Sequence, residues 1–261
     1  MHAIVRSAAL VGVEAIEVTV EASLAGGLPA VHVVGLPDAA VREARERVRA
    51  ALRAFGAPLP ASRVVVNLAP ADVRKEGPAL DLPIALALLA AQRRIPTARL
   101  ASALVVGELG LDGRVRAVRG AVAIALLAAE LGCETLLLSA AQHEQVRGVP
   151  HLHVVGVDDL ASAVDWACGR SPRDPPSCDA PRALRTRSEP HARPDAAPPD
   201  LADVRANATA KRALEIAAAG GHHLLLIGPP GAGKSMLARR LPGLLPPLDA
   251  AAALEVARLH G

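Results

Sequence analysis

Residues 228–235 read Gly228, Pro229, Pro230, Gly231, Ala232, Gly233, Lys234 and Ser235. This is the spacing G-x-x-x-x-G-K-S, in which a glycine-rich turn grips phosphate. The glycines leave room for backbone N–H groups to turn inward around an anion. Lys234 then supplies a compact positive charge for the β and γ phosphates, and the Ser235 hydroxyl can ligate Mg²⁺. ATP and Mg²⁺ are the cofactors this chemistry implies. Lysine is rare here: Lys75, Lys211 and Lys234 are the only ones among 29 basic residues. A lysine at this position meets a need for a flexible ammonium that the rigid arginine fork does not fill.

Such a loop must be held between a strand and a helix. Residues 223–227 form a short apolar run that predicts a buried parallel strand. Residues 234–241 predict a helix stopped by Pro242 and Gly243. Hydrolysis would also need carboxylates to hold the metal and activate water. The only acids after Ser235 are Asp249 and Glu255, in an Ala/Leu-rich stretch that reads as solvent-facing helix. No Walker B pair, sensor or arginine finger can be placed. The chain therefore reads as C-terminally truncated, expected to bind Mg-ATP weakly and not to hydrolyse it efficiently.

The rest of the chain divides on composition. Residues 169–200 hold eight prolines and almost no periodic apolar residues, which predicts a flexible Pro/Arg-rich linker between regions 1–168 and 201–261. Region 1–168 alternates strand and helix signals. Strands are predicted over residues 14–22, 31–34, 63–68, 135–139 and 152–155, and helices over 39–55, 80–92, 121–131 and 159–167. Asp38 is placed to cap the first helix. Its outer face pairs Arg42 with Glu46 and Glu43 with Arg47, which reads as a solvated face. Residues 103–108 and 114–118 flank Leu111, Asp112 and Gly113, a hairpin signal. Fold class is thus α/β (α+β), with a mixed-sheet, two-layer first domain.

Composition excludes several classes. One Phe, one Trp and no Tyr weaken any base-stacking mode of single-strand binding, and a net charge of +3 does not by itself argue for nucleic acid. Cys133, Cys168 and Cys178 form no paired metal motif and fit structural thiols in a reducing cytoplasm. No apolar run approaches the ~18 residues of a membrane span, and the N-terminus is no signal peptide. A cytoplasmic protein without a membrane partner is expected. His222 and His223 are adjacent, so a strand would point them to opposite faces. His151 and His153 would share a face but lack a third ligand. Trp166 reads as a packing residue, and Asp81 and Glu108 as hydrogen-bonded groups without assigned chemistry.

Several long segments together resemble one family. They run from Val34 through Asp38 to Glu43, from Val66 to Asp72, from Lys75 to Pro78, from Asp81 to Leu86 and from Gly107 to Leu109. Two more are the stretch from Ala210 to His223 and the phosphate loop itself. Together they resemble the ComM/YifB family of magnesium-chelatase-like bacterial proteins. The resemblance covers most of 1–168 and 201–261. It implies a first domain similar to the Lon protease C-terminal domain, with a ribosomal-S5-like fold. The start of an AAA+ ATPase module would follow. By that resemblance the full-length protein is a hexameric motor, a homo-oligomer acting on DNA in branch migration during natural transformation.

A Lon-like domain raises the question of peptidase activity, which needs a serine nucleophile and a lysine base. By resemblance the serine would fall at Ala79 and the lysine at Val122, so no peptidase is expected. Where the family reads Gly-Gln near the adenine, this chain has Ala206 and Asn207, which puts base recognition in question. The alternative reading is a non-enzymatic interaction or assembly module built on region 1–168, with a vestigial loop.

Overall fold

A computed structural model describes residues 1–36, 38–73, 75, 77–170, 199–249, 252–253 and 255–257, without the side chains of residues 39, 40 and 42. Most of the expected linker, Cys178 and the Arg42 side chain fall outside the described residues. Contacts divide the described residues into two compact units. One takes in residues 1–170 with 252–253 and 255–257, and the other residues 199–249.

The first unit opens with β1 (His2–Val11), β2 (Glu14–Ala25) and β3 (Ala30–Val34). Helix α1 (Ala39–Ala54), β4 (Arg63–Ala69), α2 (Asp81–Ala91), a short α3 (Ala98–Ala101) and β5 (Ala103–Val105) follow. Next come β6 (Glu108–Leu109), β7 (Val115–Arg116), α4 (Ala121–Glu130), β8 (Thr135–Ser139), a short α5 (His143–Val146), β9 (His153–Val157) and α6 (Leu160–Ala167). Seven strands form one sheet in the order β3-β4-β2-β1-β5-β8-β9. β1 with β2 and β2 with β4 are antiparallel, and the other neighbours are parallel. The mixed α/β sheet expected from the sequence is present.

Three features depart from the expectation. β1, at the centre of the sheet, carries no clear strand signal in the sequence. Arg6 and Ser7 interrupt its apolar run, and only tertiary partners satisfy them. Arg6 donates to Glu17 at 2.7 Å, and the Ser7 hydroxyl to the Val105 carbonyl at 2.7 Å. The hairpin is smaller than predicted: only β6 and β7 pair, while β5 joins the main sheet. The unit is also not simply two-layered. Val105 and Leu137 point into a core shared with α1, α2 and α6. Leu104, Leu136 and Leu138 point to the other face, where α4 supplies Val122, Ile124 and Ala125. Adjacent strand residues face opposite ways, so this half of the sheet is covered on both sides.

Helix α1 obeys the sequence prediction at its start. Asp38 accepts from the Val41 amide at 2.7 Å, and Val41, Ala44, Val48, Ala51 and Leu52 are buried. Every residue of α2 is buried, which fits its apolar character on all sides. The one charge in α2 is Asp81, which is 0% exposed. Arg47 from α1 reaches it twice, at 2.6 and 3.0 Å, and the Leu109 amide donates at 3.1 Å. Burial pushes the Asp81 carboxyl up, and the guanidinium and the amide pull against that shift. Arg47 is therefore not part of a solvated face. Its contact with Glu43 is 3.9 Å, much longer than that with Asp81.

The loops bearing the family segments are stitched to one another. Gly35 has φ +100°, and a Cβ there would lie 2.1 Å from the Leu68 carbonyl oxygen, so only glycine fits. The Lys75 amide donates to the Leu36 carbonyl, and the Asp38 amide to the Lys75 carbonyl. The Lys75 ammonium is buried and donates to the Pro70 carbonyl. Burial pushes its pKa down, against the attraction of Asp72.

Two predictions follow from these buried charges. Arg47→Ala leaves an uncompensated carboxylate in the core and should lower unfolding free energy by about 3–5 kcal/mol. Asp81→Asn keeps an acceptor for Leu109 and should cost less. Urea unfolding followed by the fluorescence of Trp166, buried in this unit, reads both. For Lys75, the folded state releases the proton at lower pH than the unfolded chain does. Its contribution to stability therefore rises as pH climbs from the depressed pKa to the ordinary lysine value. The difference in unfolding free energy between wild type and Lys75→Met should grow with pH across that interval, and a flat difference would contradict the assignment.

Candidate functional site

The second unit holds α7 (Ala208–Gly220) and α8 (Lys234–Ala238) around a small core of Leu201, Val204, Leu214 and Leu237. The glycine loop of residues 228–233 leads into α8. Gly231 and Gly233 adopt φ of +81° and +80°, the left-handed backbone that the glycine positions of the motif predict. The Lys234 ammonium donates to the carbonyls of Gly228 and Pro229, both at 2.7 Å. An ammonium has three N–H donors, so this geometry leaves one for a ligand. Ser235 and most of the loop are exposed. Asn207 stands beside the loop: its Nδ2 lies 4.0 Å from where a Cβ on Gly233 would be. The family resemblance links Asn207 to the base, not to the glycine turn.

Two local expectations are corrected. Residues 223–227 form no strand; Leu225 is 80% and Ile227 86% exposed. A parallel strand is stabilised by neighbours on both sides, and among the described residues none pairs with this segment. Only Leu226 packs against the small core. Helix α8 is also shorter than predicted. It ends at Ala238, and Pro242 does not act as a stop but lies inside a following 3-10 turn, Leu241–Leu244.

The remaining residues singled out in the sequence scatter. Asp249 and Glu255 are exposed, and Asp249 lies outside any helix. His222 and His223 are exposed in a segment without strand pairing. His151 sits in a turn at φ +60°, off the strand that begins at His153, so the two do not share a strand face. Among the described residues no group of three His, Cys, Asp or Glu side chains is placed to hold a metal ion. Cys133 is buried and Cys168 half-buried. Trp166 packs in the larger core. Glu108 pairs with Arg116 at 3.3 Å. No helix among the described residues is long and apolar enough to cross a membrane.

Comparison with known proteins gives the same family on both sides of residues 169–199. The family model described as "Subunit ChlI of Mg-chelatase" matches residues 20–142, and that described as "Magnesium chelatase, subunit ChlI" matches residues 200–261. An uncharacterised protein of Mycobacterium tuberculosis is 42% identical over 97% of this chain and 48% of its own length. The uncharacterised protein YifB of Escherichia coli is 41% identical over 98% of this chain and 48% of its own. The competence protein ComM of Haemophilus influenzae is 40% identical over 98% of this chain and 49% of its own. The chain belongs to the ComM/YifB family of magnesium-chelatase-like proteins. It spans about half the length of the curated relatives it matches.

Within this family frame, two sets of positions become interpretable. Ala79 and Val122 are where the Lon resemblance puts a serine and a lysine. Ala79 packs against the apolar cluster that contains Val122. Two apolar side chains there offer neither nucleophile nor base. The second set is Ala206 and Asn207, at φ +65° and +56°. The backbone before α7 therefore turns left-handed at the position where the family resemblance puts glycine. Alanine in that conformation costs about 1–2 kcal/mol, partly offset by its smaller unfolded-state entropy. Ala206→Gly should stabilise the second unit by about 0.5–1 kcal/mol, seen as slower amide exchange in α7. Unchanged or faster exchange would argue against strain at this turn.

Proposed function

We propose that residues 228–235 bind a magnesium nucleotide, with ATP as ligand. The chain would then carry the nucleotide-gripping part of a ComM-type AAA+ motor. The observation that carries this reading is Lys234, folded over its own loop with two N–H groups engaged and one left for phosphate. Ser235 opens α8 and is exposed. It would ligate the Mg²⁺ that bridges the β and γ phosphates. Bound Mg-ATP supplies the phosphoryl-transfer chemistry. The role of this chain is to seat the phosphates, position the metal and neutralise charge.

Within this chain we expect weak binding without turnover at motor rates. Asp249 and Glu255, the acidic residues after Ser235, are both exposed. The exposed segment before the loop also gives the cradle a less rigid base than a paired strand would. Assembly as a ring of six and action on DNA are the partners the family resemblance suggests. The first unit would then serve as an assembly domain and not as a peptidase, in line with the apolar side chains of Ala79 and Val122.

Titration with a fluorescent ATP analogue tests the binding. The analogue should bind in the presence of Mg²⁺. Lys234→Ala should weaken it at least about tenfold, the loss of one charge-assisted contact, and Ser235→Ala should remove the Mg²⁺ dependence. Binding indifferent to both substitutions would sink the assignment. Phosphate release at ordinary motor rates, abolished by Lys234→Ala, would overturn the expectation of weak binding without turnover.

A further inference from the structure

A groove of about 600 Å³ in the first unit runs along the outer edge of β9. β9 ends the main sheet, with β8 on one side and no strand among the described residues on the other. The His153 amide donates toward β8, to the Glu134 carbonyl. Backbone groups alternate in direction along a parallel strand. The N–H and C=O groups of Val154 and Gly156 therefore face away from β8, and both residues line the groove. Such an edge is a template for one more strand. β9 contains no lysine, proline or bulge to block it.

The two walls of the groove differ in charge. Side chains of a strand alternate between faces, so His153 lies on the face where Val155 and Val157 join the core with Trp166. Arg99 and Arg170 complete that wall, and no acidic residue of the lining stands on it. Arg99 donates to the Trp166 carbonyl at 3.1 Å, and Arg170 meets Asp165 at 2.8 Å. A guanidinium has five N–H donors, so most of them stay open. The opposite wall, where Gly156 comes close to Ala140, carries His143 and Glu144. Glu144 is held by Arg147 at 3.0 Å and lies 3.5 Å from His143. Trp166 adds an independent observation. It is 6% exposed, and it lines the groove. Its indole N–H has no acceptor among the described residues. The side-chain atoms sealed off without a partner are on Ser62 and Gln92 and not on Trp166. The indole N–H is thus open to an incoming acceptor.

We propose that this groove takes an extended acidic peptide as an added strand on β9. Main-chain bonds to Val154 and Gly156 hold the peptide backbone, and side-chain contacts give the selectivity. Every second side chain of the peptide falls on the basic wall. Carboxylates there meet Arg99, Arg170 and the Trp166 N–H. A nucleic-acid strand fits less well, because its backbone has no N–H groups for the outward carbonyls of β9. Two copies paired through this edge would bring their basic walls onto one side of the joint sheet, like charge beside like charge. Neither Ala79 nor Val122 lines the groove, and the site is independent of nucleotide binding at residues 228–235.

Trp166 is the only tryptophan of the chain, so its emission reads occupancy of the groove in the whole chain. The probe is a peptide of alternating threonine and glutamate, about ten residues long, the length of a long strand. It should change the Trp166 emission saturably at low salt, and more weakly as ionic strength rises. The matching threonine–lysine peptide should not. Arg99→Glu with Arg170→Glu should weaken the acidic peptide at least about tenfold and admit the lysine peptide in its place. That variant should keep its affinity for the fluorescent ATP analogue, so this reading and the nucleotide reading can fail separately. A second measurement leaves the protein untouched. Only alternate amides of an added strand face β9, so methylating either the threonine or the glutamate amides should abolish binding in one case and spare it in the other. Absence of wild-type binding, equal binding of the lysine peptide, binding that survives charge reversal, or indifference to both methylated peptides overturns the proposal. Displacement of the peptide by oligothymidylate at matched ionic strength would overturn it in favour of nucleic acid. A wild-type dimer that the peptide dissociates would overturn it in favour of a second copy.

Discussion

The two-pronged contact of Arg47 with Asp81 fixes the first unit at one point. Asp81 opens an otherwise apolar helix and is shut off from solvent. Such a carboxylate persists only if other groups complete its hydrogen bonds. Arg47 comes from α1 and the Leu109 amide from β6, so three elements must arrive together. The neighbouring loops depend on the same arrangement. Asp38 caps α1 and also accepts from the Gly77 amide at 3.2 Å, tying the start of α1 to the turn that leads into α2. Most family segments of this unit are thereby explained as scaffold: a close approach at Gly35, a cap at Asp38, a buried amine at Lys75 and a buried carboxylate at Asp81.

The glycine loop of residues 228–235 follows a different logic. Its geometry is nearly self-contained, because glycine conformations and one lysine bonding back to its own loop define it. A cradle of this kind can form with few long-range contacts. The strand leading into it cannot, and it is left exposed. The two segments are adjacent in sequence but differ in what they require: local backbone freedom for the loop, lateral hydrogen-bond partners for the strand.

Legibility in the sequence tracks this difference. The cap at Asp38, the apolar stripe of α1, the wholly apolar α2 and the glycine turn are all consequences of residues within one or two helical turns of each other, and all were readable. β1 was not, since Arg6 and Ser7 look wrong for a central strand until Glu17 and the Val105 carbonyl are beside them. Arg47 was misplaced for a related reason. Its spacing from Glu43 suggests a surface pair, but a buried carboxylate far along the chain competes more strongly than an exposed one nearby. His151 was assigned to a strand whose boundary no local signal marks.

The sequence by itself determined the family and the glycine turn of residues 228–235, because motif spacing and glycine placement are local properties. It also determined that Ala79 and Val122 carry no proton-transfer chemistry, since that follows from residue type alone. Only the tertiary structure decided which charges are buried and which strand sits at the centre of the sheet. Those outcomes depend on partners distant in the chain. Desolvation and hydrogen-bond completion act on whatever the fold brings together, and spacing in the sequence carries no record of it.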